Sequence, residues 1–206
     1  NATTGSPTAY MNLGSLLTAR DNLRQSISDL LGLRLSLNAA QGANLNGQDV
    51  FFVGHSLGAI AGTGFTALAN EPMSGQLAPA SALFSVNAST LMAPGASIAN
   101  FLLASNSFGP VVKSQLLYAA NEDFAAAVNA AAQNAGVSPT SPQFQGLLVQ
   151  VYNQFWASLS AAEQAQINGV FEQFAFAAQA AVDSADPINF AAQAVNNESP
   201  IHLIEV

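Results

Sequence analysis

Gly54-His55-Ser56-Leu57-Gly58 stands between a short apolar run, Val50-Phe51-Phe52-Val53, and a segment dense in alanine and glycine that begins at Ala59. No other feature constrains the chain as tightly. A β-branched and aromatic run bounded by turn formers reads as a strand, and apolar residues at successive positions fit a central parallel strand buried on both faces. The small residues that follow suit a helix lying very close to that sheet. A strand that passes into a helix through Gly-x-Ser-x-Gly forms a strained turn in which the serine hydroxyl is lifted above the sheet. Ser56 is then the candidate nucleophile. The Leu57 N–H, at the positive end of the helix, is the candidate oxyanion donor. Gly54 and Gly58 are expected because side chains there would collide with the neighbouring strand and helix.

The surrounding pattern extends this into an α/β chain. Leu16, Leu17, Leu23, Ile27, Leu30, Leu31 and Leu35 recur at three- and four-residue steps with Arg20, Asp21, Arg24 and Asp29 between them, which predicts an amphipathic helix over 16–37. Residues 1–9 read as an extended lead-in, and the Gly/Asn-rich stretch 41–48 as a loop. Ala82–Asn87 is a second strand candidate, followed by a helix to about Leu103, and Ile201–Val206 is a third strand. Between them the composition turns to Ala, Gln, Asn and Phe. Ser141-Pro142 reads as a helix start, Ser160-x-x-Glu163 as a capping box, and Asp186-Pro187 as the opening of another helix, while Gly136-Val137-Ser138-Pro139 separates two helices. The expected organisation is a core segment over 1–109, a helical insertion over 110–195 and a returning core strand over 196–206.

Composition removes several function classes. Four Lys and Arg against 12 Asp and Glu give a net charge of −8, and the scattered Arg20, Arg24, Arg34 and Lys113 form no basic patch for nucleic acid or acidic lipid. Half the residues are apolar, yet polar residues and glycine interrupt every run before the roughly 18 to 20 needed for a membrane span. No cysteine and only two histidines, His55 and His202, leave no thiolate chemistry, no metal site and no cofactor to expect. Arg20, Asp21 and Arg24 are expected to pair among themselves on a helix surface. Of the apolar set Phe124, Phe144, Leu147, Leu148, Val151, Phe155, Phe171, Phe174 and Phe176, most should be helix–helix core. Any surplus would wall an acyl chain, since an insertion between strands sits over their carboxyl ends.

Two of these segments, with two others, resemble the secreted bacterial virulence-factor lipase and phospholipase family. They are the elbow with its strand (FFVGHSLGAIAG), Arg20-Asp21-Asn22-Leu23-Arg24-Gln25, Ala93-Pro94-Gly95, and Ser107-Phe108-Gly109-Pro110. The likeness runs from about Tyr10 to Val206, and departs where the family favours glycine and this chain has Ala59 and Ala96-Ser97. The resemblance implies a partial α/β-hydrolase fold with a helical cap, a secreted or cell-surface bacterial protein, and hydrolysis of lipid acyl esters by a Ser-acid-His triad. It also implies that the acid and base lie beyond Val206 and that the chain is an internal piece of a longer polypeptide, as its start at Asn1 suggests. Rival readings are a short-chain esterase or thioesterase, and a non-catalytic helical interaction module with a vestigial Ser56.

His202 is the alternative base, because Asp183, Asp186 and Glu198 lie between it and Ser56 in the required order. It falls inside an apolar strand pattern, however, where a base needs a loop at the strand's carboxyl end. His55 reads as a packing residue beside the elbow, Asp186 as a helix cap, and Glu205 as an outlying candidate acid. Without the earlier strands of such a fold, Val50–Val53 would be a sheet edge with no Lys, Pro or charge to protect it. Such an edge should be covered by a second copy of the chain or by another part of the parent polypeptide.

Overall fold

A computed structural model describes residues 10–11, 15–40 and 49–205. The expected lead-in over 1–9, the loop over 41–48 and the final Val206 lie outside the described residues. The fold is mixed α/β. Its elements in order are α1 (Leu16–Leu37), β1 (Phe51–His55), α2 (Leu57–Ala69), a 3₁₀ turn (Gly75–Ala80), α3 (Ser81–Phe84), β2 (Ala88–Met92) and α4 (Ile98–Ala104). There follow α5 (Gly109–Ala120), α6 (Glu122–Ala135), α7 (Gln143–Ser158), α8 (Ala161–Val182), α9 (Ile188–Asn196) and β3 (Ile201–Ile204). Two compact units result, Asn1–Ile98 with Ala181–Val206, and Ala99–Ala180. The helical unit therefore covers 99–180 rather than 110–195: it takes in most of α4 at its start, and it ends earlier because α9 packs on α2 and belongs to the sheet-bearing unit.

In that unit three parallel strands lie in the order β1-β2-β3, with Phe51 opposite Ala88 and Ser89 opposite Ile201. The helix after the elbow does lie hard against the sheet. A Cβ on Gly62 would come within 2.3 Å of the Phe52 ring, and one on Gly64 within 2.5 Å of Ile27 on α1. Thr66 is fully buried in the same contact and donates its hydroxyl hydrogen to Ser89 Oγ at 2.8 Å. On α1, Leu23 and Ile27 are buried and Arg34 reaches across to the Ser85 and Ala82 carbonyls at 2.8 and 3.3 Å.

Two strand expectations need correction. Residues 82–87 are not a strand: 81–84 form α3, and β2 runs over Ala88–Met92. Tertiary contacts decide this. Arg34 holds the α3 carbonyls, while Asn87 fixes the start of pairing by donating its N–H to Val50 C=O at 2.7 Å and accepting the Val50 N–H on Oδ1 at 2.8 Å. Nor is β1 a central strand buried on both faces. It stands at one end of the described sheet, and Phe51 and Val53 are 64% and 66% exposed.

The unit Ala99–Ala180 has its own core of Leu117, Phe124, Val128, Leu148, Val151, Tyr152 and Phe171. Phe124 packs against Phe155 with ring centroids 5.2 Å apart, and Lys113 Nζ stands 5.7 Å from the Phe171 ring centre. Phe176 is 81% exposed and contributes nothing to that core. The capping box at α8 is present: Ser160 N–H donates to Glu163 Oε2 at 2.8 Å, and Glu163 N–H to Ser160 Oγ at 3.4 Å. At α7 the helix begins one residue later than expected, and the Ser141 backbone carbonyl, not its hydroxyl, accepts the Phe144 N–H.

Asp186 does more than cap α9. Fully buried, its carboxylate accepts the Ile188 N–H at 3.0 Å and also the Ser97 and Ile98 N–H groups at 2.9 and 2.6 Å, joining the starts of α4 and α9. Charge-assisted bonds to backbone N–H groups are among the stronger ones, and removing the acceptor strands buried donors. Asp186→Ala should cost roughly 3 kcal/mol or more and lower the melting temperature by roughly 6–12 °C, measured by calorimetry. Asp186→Asn, which keeps one acceptor oxygen, should cost less.

The Ser160 hydroxyl and N–H hold the Glu163 carboxyl below its ordinary value of 4.5. A depressed folded-state value adds stability that is complete above the unfolded value and is lost as pH falls through the folded one. Glu163→Gln should therefore lower stability slightly and uniformly at neutral pH, where the carboxylate contribution is complete, and flatten the loss of stability on the acid side, below about pH 4.5, as read by urea unfolding across pH.

Candidate active site

Ser56 joins β1 to α2 with φ 50° and ψ −118°, a left-handed conformation that costs a non-glycine residue on the order of 1–3 kcal/mol. Its surroundings hold it there. The Ser56 N–H donates to Met92 C=O of β2 at 2.9 Å, and its own C=O accepts the Ala59 and Ile60 N–H groups at 2.8 and 2.9 Å. Both backbone groups of the turn are thus committed, one to the sheet and one to the helix. Ser56 itself is exposed, at the carboxyl end of β1.

The two glycines differ. A Cβ on Gly54 would lie 2.5 Å from the Gly58 carbonyl oxygen and 2.9 Å from the Ala59 nitrogen, both backbone atoms that cannot move aside. Gly54 is required as expected. A Cβ on Gly58 meets nothing within 4 Å among the described residues, so the expected collision at that position does not occur. What the turn needs at 58 is backbone close to Gly54. Gly54→Ala should push strand and helix apart and lower stability by roughly 1–3 kcal/mol. Gly58→Ala, in an open first helical turn, should be neutral or stabilising by a few tenths of a kcal/mol. Paired thermal melts of the two variants check this asymmetry.

Leu57 and Gly58 are the first residues of α2, so their N–H groups have no acceptor within the helix. They point toward the end where the helix dipole is positive, and the first turn carries no acidic residue to compete for them. An anion formed at Ser56 would meet donors that have no backbone partner among the described residues. Beside the turn, a groove of about 560 Å³ runs between α1 and β1, lined by Leu30, Leu33, Phe52, Val53, Leu57 and Tyr10 among others. His55 lines the same groove and is exposed, so it is not the packing residue expected.

The structure does not bring His202 to Ser56. On β3, His202 stands opposite Thr90, which stands opposite Val53. It is therefore two strands across from β1, roughly 10 Å, and three residues short of the level of Ser56, roughly another 10 Å. No side chain can bridge that separation to the hydrogen-bond distance a base requires. Asp186 is committed to three backbone N–H groups, and Glu205 is exposed just past the end of β3. Among the described residues no cluster of three or more His, Asp or Glu could hold a metal, and no helix is long and apolar enough to cross a membrane.

The block Arg20-Asp21-Asn22-Leu23-Arg24-Gln25 is structural. Arg20 Nε pairs with Asp21 Oδ1 at 2.8 Å on the surface, Asn22 Nδ2 donates to the Tyr10 carbonyl at 2.8 Å, Leu23 is fully buried, and Gln25 binds Asp29 at 2.7 Å. The Tyr10 hydroxyl returns a bond to the Asn22 carbonyl at 3.0 Å, and burial raises its pKa. The sequence reading missed this Tyr10–Asn22 bracket at one wall of the groove. It also missed the junction at Ala93, where φ is 50° and the N–H donates to Ile204 C=O, directly after the Met92 carbonyl that holds Ser56. No protein-family model, curated protein or solved structure matches the chain.

Proposed function

We propose that the chain carries the nucleophile of a serine hydrolase that cleaves carboxylic esters. Within that class, lipid acyl esters are the proposed substrates, in a lipase or phospholipase secreted or displayed by a bacterium. The observation that carries the reading is the conformation of Ser56: a non-glycine residue held at φ 50° between a parallel strand and a helix, exposed, with the Leu57 N–H next to it unfilled among the described residues. The same sharp turn that lays α2 on the sheet leaves the strained Ser56 hydroxyl exposed, as nucleophile presentation requires. The lipid preference rests on the resemblance of the elbow and its companion segments to the virulence-factor lipases, and on the largely apolar groove beside the turn.

In the proposed reaction Ser56 Oγ attacks the ester carbonyl carbon and gives its proton to a base. The carbonyl oxygen becomes an oxyanion that accepts the Leu57 N–H. Collapse expels the alcohol, which takes the proton back, and leaves an acyl group on Ser56. Water attacks this acyl-enzyme by the same route and releases the fatty acid. The described residues supply nucleophile and oxyanion donor. The base is assigned to residues other than these, since His202 stands two strands away.

A fluorophosphonate offered to the native protein should label the peptide that holds Gly54–Gly58, and Ser56→Ala should abolish labelling and lower ester hydrolysis by at least about four orders of magnitude. His202→Ala should leave both unchanged. Absence of labelling in the wild-type protein would favour the interaction-module reading with a vestigial Ser56, and loss of labelling in His202→Ala would make His202 the base.

A further inference from the structure

We propose that Ala93-Pro94-Gly95-Ala96-Ser97 is a fixed wall for the alcohol arm of an ester bonded to Ser56, and that Asp186 is the positioning residue that holds it. The wall rests on the hydrolase reading of Ser56 and extends it to the two arms of the substrate. Strands β1 and β2 end together. His55 stands opposite Met92, so the next residues, Ser56 and Ala93, leave the sheet at one level, roughly 5 Å apart. Both leave with a φ of 50°. The last ladder bonds fix the two departures: Ser56 N–H donates to Met92 C=O at 2.9 Å, and Ala93 N–H to Ile204 C=O at 2.8 Å. Among the described residues only β2 adjoins β1, so the segment after β2 flanks Ser56 on that side.

This segment is held at both ends and stiff between them. The Pro94 ring locks its own φ. Ser97 has a φ of 57°, and its N–H and that of Ile98 donate to the two oxygens of Asp186 at 2.9 and 2.6 Å. Asp186 is fully buried and 89 residues further along the chain than Ser97, so the restraint is a tertiary one. Non-glycine residues at positive φ persist where their surroundings over-determine them, and they gather at active sites and ligand clamps. Ser56, Ala93 and Ser97 all lie in the segments that follow β1 and β2, at the carboxyl end of the sheet.

The chemistry at Ser56 gives such a wall its task. Once Ser56 Oγ bonds the ester carbon and the oxyanion takes the Leu57 N–H, the acyl and alcohol arms leave that carbon in different directions. The largely apolar groove along α1 and β1 takes the acyl chain, so the alcohol arm crosses the end of β2, over residues 93–97. No side chain in the segment is larger than proline, and Ala96 at its middle is exposed. A low wall of this kind admits a bulky alcohol, and a rigid one holds the departing oxygen in a single orientation, which is where a small misplacement slows a reaction most. The wall acts only until the alcohol has left. Loosening it should therefore slow formation of the acyl-enzyme and leave its hydrolysis unchanged.

The test compares two ester series on the native protein, well below its melting temperature: one alcohol with acyl chains of increasing length, and one acyl chain with alcohols from methyl to bulky and branched. Asp186→Asn, which keeps one acceptor oxygen, should lower kcat/KM for the bulky alcohols by roughly tenfold. The methyl ester, the acyl-chain profile and the rate at which a small fluorophosphonate labels Ser56 should all stay within about twofold of wild type. Ala96→Trp, a change at an exposed position, should bias the alcohol series the same way, and it carries the test alone if the Asn variant fails to fold. An alcohol series parallel to wild type in the folded variants would overturn the proposal. So would an equal fall across both series, which would leave Asp186 with a purely structural role, or a shift in the acyl series instead. Wild-type protein that takes no label would remove the hydrolase reading and the wall with it, whereas normal labelling with an unchanged alcohol profile would remove the wall alone.

Discussion

The close approach of the Gly54 α-carbon to the Gly58 carbonyl is the contact on which the rest of the sheet-bearing unit depends. The chain leaves β1 and enters α2 within one residue, and only a backbone without a side chain at 54 allows the helix to start that near the strand. Ser56 absorbs the cost as a positive φ. Once the helix starts there, its next turns are committed to the sheet surface: Gly62 meets Phe52 and Leu91, and Gly64 meets Ile27 on α1. The small residues of α2 follow from the sharpness of the turn before it. The donors left open at Leu57 and Gly58 follow from the same cause, since a helix that begins immediately after the strand has no room for a capping segment.

The unit is also closed by buried polar groups. Asp186 gathers three N–H groups from two helix starts, Arg34 binds carbonyls at the end of α3, and Thr66 and Ser89 satisfy each other beneath α2. With only 8% charged residues in the whole chain, these few carry much of the specificity of packing. An apolar residue in place of Asp186 would leave the starts of α4 and α9 with buried, unpaired donors.

Much of this was legible in the sequence where a local signal and the tertiary structure agree. The leucine spacing gave α1 its bounds of Leu16–Leu37, and Ser160-x-x-Glu163 forms the capping box its pattern predicts. The elbow was legible because its glycines and apolar strand leave few alternatives. The failures arise where long-range contacts decide. Ala88-Ser89-Thr90-Leu91-Met92 looks too polar for an inner strand, yet Ser89 is buried because Thr66, 23 residues earlier, supplies its hydrogen bond. Ala82–Asn87 has strand-like residues, but Arg34 fixes its start as helix from 48 residues away. The exposed face of β1 was hidden for a related reason: Phe51 and Val53 read as buried because they are apolar, whereas burial depends on what lies beside them.

The central claim is that the turn at Ser56 is built to hold a covalent adduct with its oxygen on the helix N-terminus. A crystal structure of the native protein after reaction with a p-nitrophenyl alkylphosphonate tests it most directly. The account predicts a phosphorus atom bonded to Ser56 Oγ, a positive φ kept at Ser56, and the phosphoryl oxygen roughly 2.7–3.1 Å from the Leu57 nitrogen. Ser56 unmodified, or an adduct whose phosphoryl oxygen faces away from the Leu57 N–H, would contradict it.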